Sequence, residues 1–300
     1  MKTSLDMARG LLQTFCFLVC FLPFGARGAD PAQAPGAPRQ EVRLLTVGNS
    51  FADNSTAFLP QLSEAGGKHL ILFRANLGGH SLEQHVGYLQ AFEADPNDPK
   101  GRAYKQHVDP RTGEKKDFSL REALENQPWD VVTIQQVSHK SYQPETYQPY
   151  ANTLIACIHK YAPQAEIMIH ETWAYGDDVF PNFNKGKSEV LDQQKMYDGL
   201  SAAYRKLAAE TGLRVLPVGD AFQKARALPI IVNREANIHA NENGQYLGAA
   251  VFYETIFRDN VEKVPYAPEK VSPQDAAALR HIAHETVAQE AAAHPVKATR

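Results

Sequence analysis

Cysteine is scarce: the chain of 300 residues has three, at positions 16, 20 and 157. Two of them fall in an N-terminal apolar run, which leaves Cys157 alone in the remainder and excludes both an intrachain disulfide framework and a Cys/His zinc site. Cys157 lies at helical spacing from Leu154 and Tyr161, as a buried core thiol would. An excess of one charge sign is missing as well. The 31 Lys and Arg against 34 Asp and Glu leave a net charge of -3, with no basic footprint for nucleic acid or an anionic membrane. Nothing calls for a metal or another cofactor. Long hydrophobic runs are absent except for LLQTFCFLVCFLPFG, residues 11–25, which Pro23 and Gly25 break before it reaches the length of a membrane span.

That run has another reading. Lys2 and Arg9 precede it, and Ala26-Arg27-Gly28 supplies small residues at the positions a signal peptidase inspects. Residues 1–28 are therefore expected to be an export signal, removed before Ala29, with the mature chain periplasmic or extracellular and not stably inserted in a membrane. Residues 29–41 are a Pro/Ala-rich linker, and 42–295 are long enough for one α/β domain with a good-sized core.

Within that domain, apolar runs alternate with helical periods. RLLTVG, KHLILFRANL, WDVVTIQQ, AEIMIHETW and RVLPVG read as strands. Helices are expected between them and in the two C-terminal segments ENGQYLGAAVFYETIF and SPQDAAALRHIAHETVAQEAAA. SLREALENQ carries a capping box, with Ser119 as N-cap and Glu122 three residues on. Residues 96–117, rich in turn formers and charge, read as a surface insertion. Five strands alternating with helices imply an α/β fold with a central, mainly parallel sheet covered on both faces.

Ligands of such sheets bind beyond the carboxyl ends of the strands. The polar residues there are Gly48-Asn49-Ser50, the segment Asn76 to Ser81, Gln135 to His139, Glu171 to Trp173, and Asp220. Ser50 needs a base from elsewhere in the fold to become a nucleophile, and His239 in NIHANENGQYLG is the best one. Donors for the developing oxyanion are the backbone N–H groups of Ser50 and Gly79 and the side-chain amide of Gln135 or Gln136. Trp173 and Tyr175, just past a strand end, are candidates to pack against the C–H face of a sugar ring. Asn49, His80 and His139 are candidates to line the same cleft, with Asn54 and Tyr142 near them.

The order of these pieces resembles the SGNH, or GDSL-like, hydrolase superfamily. Gly48-Asn49-Ser50 is similar to its first block, Gly79 in GGHS to the second, and Gln135 to His139 to the third; His239 with Gly244 and Tyr246-Leu247 is similar to the fifth. The resemblance covers residues 43–258. It implies a flavodoxin-like three-layer α/β/α sandwich, no metal, and ester hydrolysis through an acyl-enzyme on Ser50, with a carbohydrate O-acetyl ester as the expected substrate. The family usually has an aspartate three residues before the histidine, and here that position is Ala236. Glu235 beside it or a backbone carbonyl is left to orient His239, with Asp220 and Glu171 as further candidates. The missing carboxylate also leaves room for a second reading, a non-catalytic carbohydrate-binding or scaffold protein on the same fold.

Overall fold

In EVRLLTVG the apolar residues run on without alternation, as they do in a strand covered on both faces. The structure, a computed structural model, describes residues 38–108, 113, 115–186 and 190–294. The expected export signal, with Cys16 and Cys20, and the linker up to residue 37 lie outside the described residues. The strands are β1 (Glu41–Gly48), β2 (His69–Asn76), β3 (Tyr104–Val108), β4 (Lys115–Phe118), β5 (Val131–Ile134), β6 (Glu166–His170) and β7 (Arg214–Leu216). The helices are α1 (Ser50–Ser55), α2 (Leu59–Ala65), α3 (Leu82–Ala94), α4 (Leu120–Glu125), α5 (Tyr150–Tyr161), α6 (Phe180–Phe183), α7 (Gln193–Thr211), α8 (Val218–Ala225), α9 (Glu242–Phe257) and α10 (Pro273–Ala293).

Five strands pair in the order β2-β1-β5-β6-β7, all parallel. The chain leaves β1 for β2 on one side and resumes at β5 on the other. The carboxyl ends of β1 and β5 therefore flank the point where the winding reverses, where such sheets hold their ligands. Helices α3, α4 and α5 pack together, and α9 packs against α1, α2, α8 and α10. This is the three-layer α/β/α sandwich expected from the alternation and from the resemblance. The most enclosed helix is α9, buried almost all round from Tyr246 to Phe257, so the segment that leads out of His239 is anchored in the core. Among the described residues no helix is long and apolar enough to cross a membrane.

Three local readings change. Within the expected surface insertion, β3 and β4 pair antiparallel, and Tyr104 and Phe118, opposite each other in that pairing, are fully buried. The strand expected at 214–219 stops at Leu216, and Pro217-Val218 opens α8, where Val218, Ala221, Phe222 and Ala225 form a buried face. The helix expected between WDVVTIQQ and AEIMIHETW begins only at Tyr150, after a 3-10 turn at Pro144–Thr146. The capping box of α4 is present, with Ser119 Oγ accepting from Glu122 N at 3.1 Å and Glu122 Oε2 accepting from Ser119 N at 2.9 Å. Cys157 is free and buried, and burial pushes its thiol up to about 12.

Candidate active site

The turn after β1 is built from Gly48, Asn49 and Ser50. A Cβ at Gly48 would lie 2.6 Å from Gln135 Oε1, so glycine is needed for close packing and not for an unusual backbone angle. Asn49 is extended and caps α1, its Oδ1 accepting from Phe51 N at 3.0 Å. The helix thus starts at Ser50 and leaves its side chain half-exposed at the sheet edge.

Beneath the turn lies a buried polar network. Asn49 Oδ1 also accepts from Gln135 Nε2 at 2.9 Å, and Asn49 Nδ2 donates to His80 O at 3.1 Å. Gln135 Oε1 accepts from His170 Nδ1 at 3.0 Å, and His170 Nε2 accepts from Ser55 Oγ at 3.2 Å. On the other side, Gly48 O accepts from His85 Nε2 at 2.9 Å, and His85 Nδ1 accepts from Tyr104 Oη at 2.8 Å. Burial drives His85 down to about 4 and His170 down to about 3, so both are neutral near pH 7 and each is held in one tautomer by its partners.

His239 arrives on a hairpin closed by the bridge between Asn233 and Ala240 and by Arg234 N donating to His239 O at 3.0 Å. Several elements hold this hairpin. Ala240 N donates to Asn54 Oδ1 of α1 at 3.1 Å, and Trp173 Nε1 donates to Ile238 O at 3.2 Å. Arg226 Nη2 donates to Asn233 Oδ1 at 3.0 Å and to the carbonyls of Ala174 and Tyr175 at 3.2 and 3.1 Å. At the tip, Ala236 has φ +47°, and its N–H donates to Asp178 Oδ2.

Ser50 Oγ and His239 Nε2 are 2.9 Å apart. The partner of His239 Nδ1 is Asn237 Oδ1, at 2.8 Å. The same Oδ1 accepts from the backbone N–H of His239 at 2.9 Å. Because a backbone N–H can only donate, the atom facing it must be the amide oxygen. Nδ1 then carries the proton, and the lone pair of Nε2 faces Ser50. The tautomer needed for proton abstraction follows from one backbone amide, without a carboxylate. Partial burial and the positive charge of Arg234 hold the imidazole below its ordinary value, so it is an uncharged base at neutral pH.

Glu235 is exposed, and no hydrogen bond joins it to the ring; Nδ1 is instead held by Asn237, whose Oδ1 two residues before the histidine reaches both its backbone N–H and Nδ1. Asp220 is bound by Arg205 and Tyr197, and Glu171 accepts from Asp220 N, so neither orients His239. Gln136 gives both amide hydrogens to Thr146, to its O at 2.9 Å and its Oγ1 at 3.2 Å, and Gln135, only 2% exposed, gives one of its two to Asn49 Oδ1 beneath the turn. The backbone N–H groups of Ser50 and Gly79 have no acceptor among the described residues, and the loop of Gly79 is tied to the nucleophile turn through Asn49 and His80 O. Asn49 is 1% exposed and clamps the turn from below, its Oδ1 accepting from Phe51 N and Gln135 Nε2 and its Nδ2 donating to His80 O, which removes it from substrate contact.

His80 spends its ring nitrogens on Gly78 O and Tyr88 Oη, and His139 lies exposed on the 3-10 turn Ser138–Lys140. Trp173 and Tyr175 are not sugar platforms, being 0% and 1% exposed. Trp173 stacks on Phe51 at 4.0 Å and on Phe222 at 4.5 Å, while Tyr175 shares a hydrogen bond with Ser138 Oγ. Trp173 is a pillar between α1, through Phe51, and the histidine hairpin, through Ile238 O. Sequence reasoning missed Asn237, His85 and His170. Only Asn237 carried a signal, the Asx-turn spacing Asn-x-His. Among the described residues, no group of His, Cys, Asp and Glu is arranged to hold a metal ion.

Residues 43–286 match the family described as a domain of unknown function, DUF4886. A crystal structure of a DUF4886 family protein from Bacteroides uniformis is similar with TM-score 0.69 and 28% identity, covering 86% of this chain and 97% of that one. A putative SGNH hydrolase from Slackia heliotrinireducens is similar with TM-score 0.51 and 23% identity, over 72% of this chain and 98% of that one. An acetylxylan esterase from Geobacillus stearothermophilus overlays with TM-score 0.44 and 14% identity, over 72% of this chain and 94% of that one. No curated protein matches. The fold is that of the SGNH-like superfamily.

Proposed function

We propose, for a chain that belongs to the DUF4886 family and has the SGNH fold, that it is a serine ester hydrolase. The observation that carries this reading is Ser50 Oγ at 2.9 Å from a His239 Nε2 whose lone pair is aimed at it by Asn237. Ser50 Oγ attacks the ester carbonyl carbon as Nε2 takes its proton. The oxyanion is met by the N–H groups of Ser50 and Gly79, whose hydrogens are not committed elsewhere among the described residues. Collapse breaks the bond to the alcohol oxygen, which leaves with the proton returned by Nε2. Water then attacks the acyl-enzyme, gives its proton to Nε2, and releases the acid as Ser50 recovers its hydrogen.

An amide in place of the usual carboxylate keeps the tautomer but adds no negative charge beside the imidazolium that forms. A modest turnover fits such a site. The finer proposal is an exported esterase that removes small acyl groups such as acetyl from a carbohydrate. A non-catalytic binding protein is the competing reading, and the missing carboxylate is what favours it. Release of p-nitrophenol from p-nitrophenyl acetate by residues 29–300 separates the two. Wild type is expected to turn over, with Ser50→Ala and His239→Ala slower by roughly 10⁴-fold. Equal rates in all three would leave the binding reading in place.

A further inference from the structure

Only three large apolar side chains are exposed among the described residues: Val190, Leu228 and Ile231. Two of them, Leu228 and Ile231, line one cleft of about 610 Å³, whose walls come from residues 176–178 beyond β6, from α8 and from the stem of the histidine hairpin. Ile231 is 74% exposed on a backbone that is held in place, for its carbonyl accepts from the side chains of Asn241 at 2.8 Å and Asn243 at 3.1 Å. Its exposure is therefore not that of a loose loop, and a fixed isoleucine facing solvent is a standing cost that a ligand would relieve.

The polar lining limits what that ligand is. Asp177, Asp178 and Glu235 face the cleft together with Arg226 and Arg234. Asp178 is occupied by Ala236 N and Arg226 by three oxygens, whereas the carboxylates of Asp177 and Glu235 have no hydrogen-bond partner among the described residues. An anion would meet three carboxylates, and a cation two guanidinium groups. A long acyl chain would bury the free carboxylates without partners, at a cost it cannot offset. A neutral chain of hydroxyl-bearing rings meets none of these penalties: its hydroxyls donate to Asp177 and Glu235, and its C–H faces cover Leu228 and Ile231.

Position fixes which half of the ester this is. If the ester-hydrolase reading holds, His239 Nε2 must hand its proton to the leaving alcohol, so the alcohol lies on the histidine side of the nucleophile and the carbonyl oxygen on the Gly79 side. The cleft is on the histidine side. Glu235 is four residues before His239, and Arg234 N–H is bonded to His239 O across the hairpin. We infer that this cleft is the alcohol-side subsite and takes a neutral, polyhydroxylated chain, an oligosaccharide, whose acyl group reaches over the hairpin to Ser50.

Calorimetric titration of the full-length Ser50→Ala protein with unmodified cello-, xylo- and manno-oligosaccharides tests this without needing turnover. At least one is expected to bind with Kd below about 10 mM, weakened about tenfold or more by Ile231→Glu and by Glu235→Lys, in variants whose melting temperature matches that of Ser50→Ala. Absence of binding by every sugar overturns the assignment, as does binding that both substitutions leave untouched. Binding of octanoate instead, lost in Ile231→Glu, would give the cleft to the acyl half and equally overturn it. Because the p-nitrophenyl acetate assay reads the chemistry separately, failure of the subsite and failure of the esterase are distinguishable.

Discussion

At the scale of single residues the site turns on Asn237. Its amide oxygen, fixed by the backbone N–H of His239, sets the tautomer of the base but gives the imidazolium no ionic partner. For the proposed hydrolase, the acid limb of kcat/KM is expected to follow His239, which acts as a base only when neutral, and the lowered value of that group puts the expected limb below 6.5. Asn237→Asp brings a carboxylate to the same atom, raises the imidazole's proton affinity and moves the limb to higher pH, with kcat on the plateau maintained or increased. Asn237→Ala frees Nδ1 and is expected to lower kcat roughly 10- to 100-fold. A pH profile of the three forms checks both directions, and an Asn237→Ala enzyme indistinguishable from wild type would remove the residue from the mechanism. That Ser50 and His239 meet was legible because family-like spacing brackets each of them. Asn237 was not, because a carboxylate is the usual partner of such a histidine, and the Asx-turn spacing that places a neutral amide on Nδ1 is common to many loops with no such role. Trp173 and Tyr175 misled for a related reason: a large aromatic residue past a strand end looks alike in sequence whether it covers a cleft or fills the space beneath one.

At the scale of elements, the nucleophile helix α1 and the histidine hairpin must keep their separation. One direct link is Ala240 N donating to Asn54 Oδ1. Asn54→Ala removes that acceptor at a half-exposed position. We expect kcat to fall about tenfold with KM for a small ester little changed, because the loss is in the aim of His239 and not in binding. Asn54→Asp, whose carboxylate still accepts from the N–H, should restore most of it. Steady-state kinetics of the pair decides the matter, and an unaltered kcat in Asn54→Ala would show that Trp173 and Arg226 suffice to hold the hairpin. The elements themselves were mostly legible, since continuous apolar strands and capped helices announce their own ends; Ser119 with Glu122 is the plainest case. Helix α8 was not, because Pro217-Val218-Gly219 reads as the end of a strand. Only the burial of Val218, Ala221, Phe222 and Ala225 against neighbouring helices makes that segment helical.

At the scale of the whole molecule, buried titratable groups shape stability against pH. His85 and His170 fall from 6.5 to about 4 and about 3 on folding, so below pH 6.5 the unfolded chain binds protons that the folded one refuses. Stability is then lost as pH falls, by about 1.4 kcal/mol per unit for each histidine until its folded value is reached. Glu171 acts the other way. Burial and the charge of Asp220 raise it from 4.5 to about 8, so the folded chain keeps a proton that the unfolded one releases, and stability is lost as pH rises through that window. Two histidines outweigh one acid below 6.5, and the acid alone acts above it. Thermal melts across pH 4 to 9 should therefore peak near pH 6.5, and His170→Asn should flatten the acid side. A melting temperature level from pH 4 to 6.5 would contradict the buried network under Ser50. Sequence order does not reveal this layer, because His85, Gln135 and His170 are distant in the chain and meet only when β1, β5 and β6 line up.

The proposed hydrolysis requires that Ser50 become acylated with His239 as its base. Intact-protein and peptide mass spectrometry after a brief exposure to p-nitrophenyl acetate and an acid quench reads it directly. The expected result is a mass increase of one acetyl group on the peptide containing Ser50, absent in Ser50→Ala and strongly reduced in His239→Ala. An unmodified Ser50 peptide from a protein that releases p-nitrophenol, or an acetyl group carried equally by the His239→Ala protein, would contradict it.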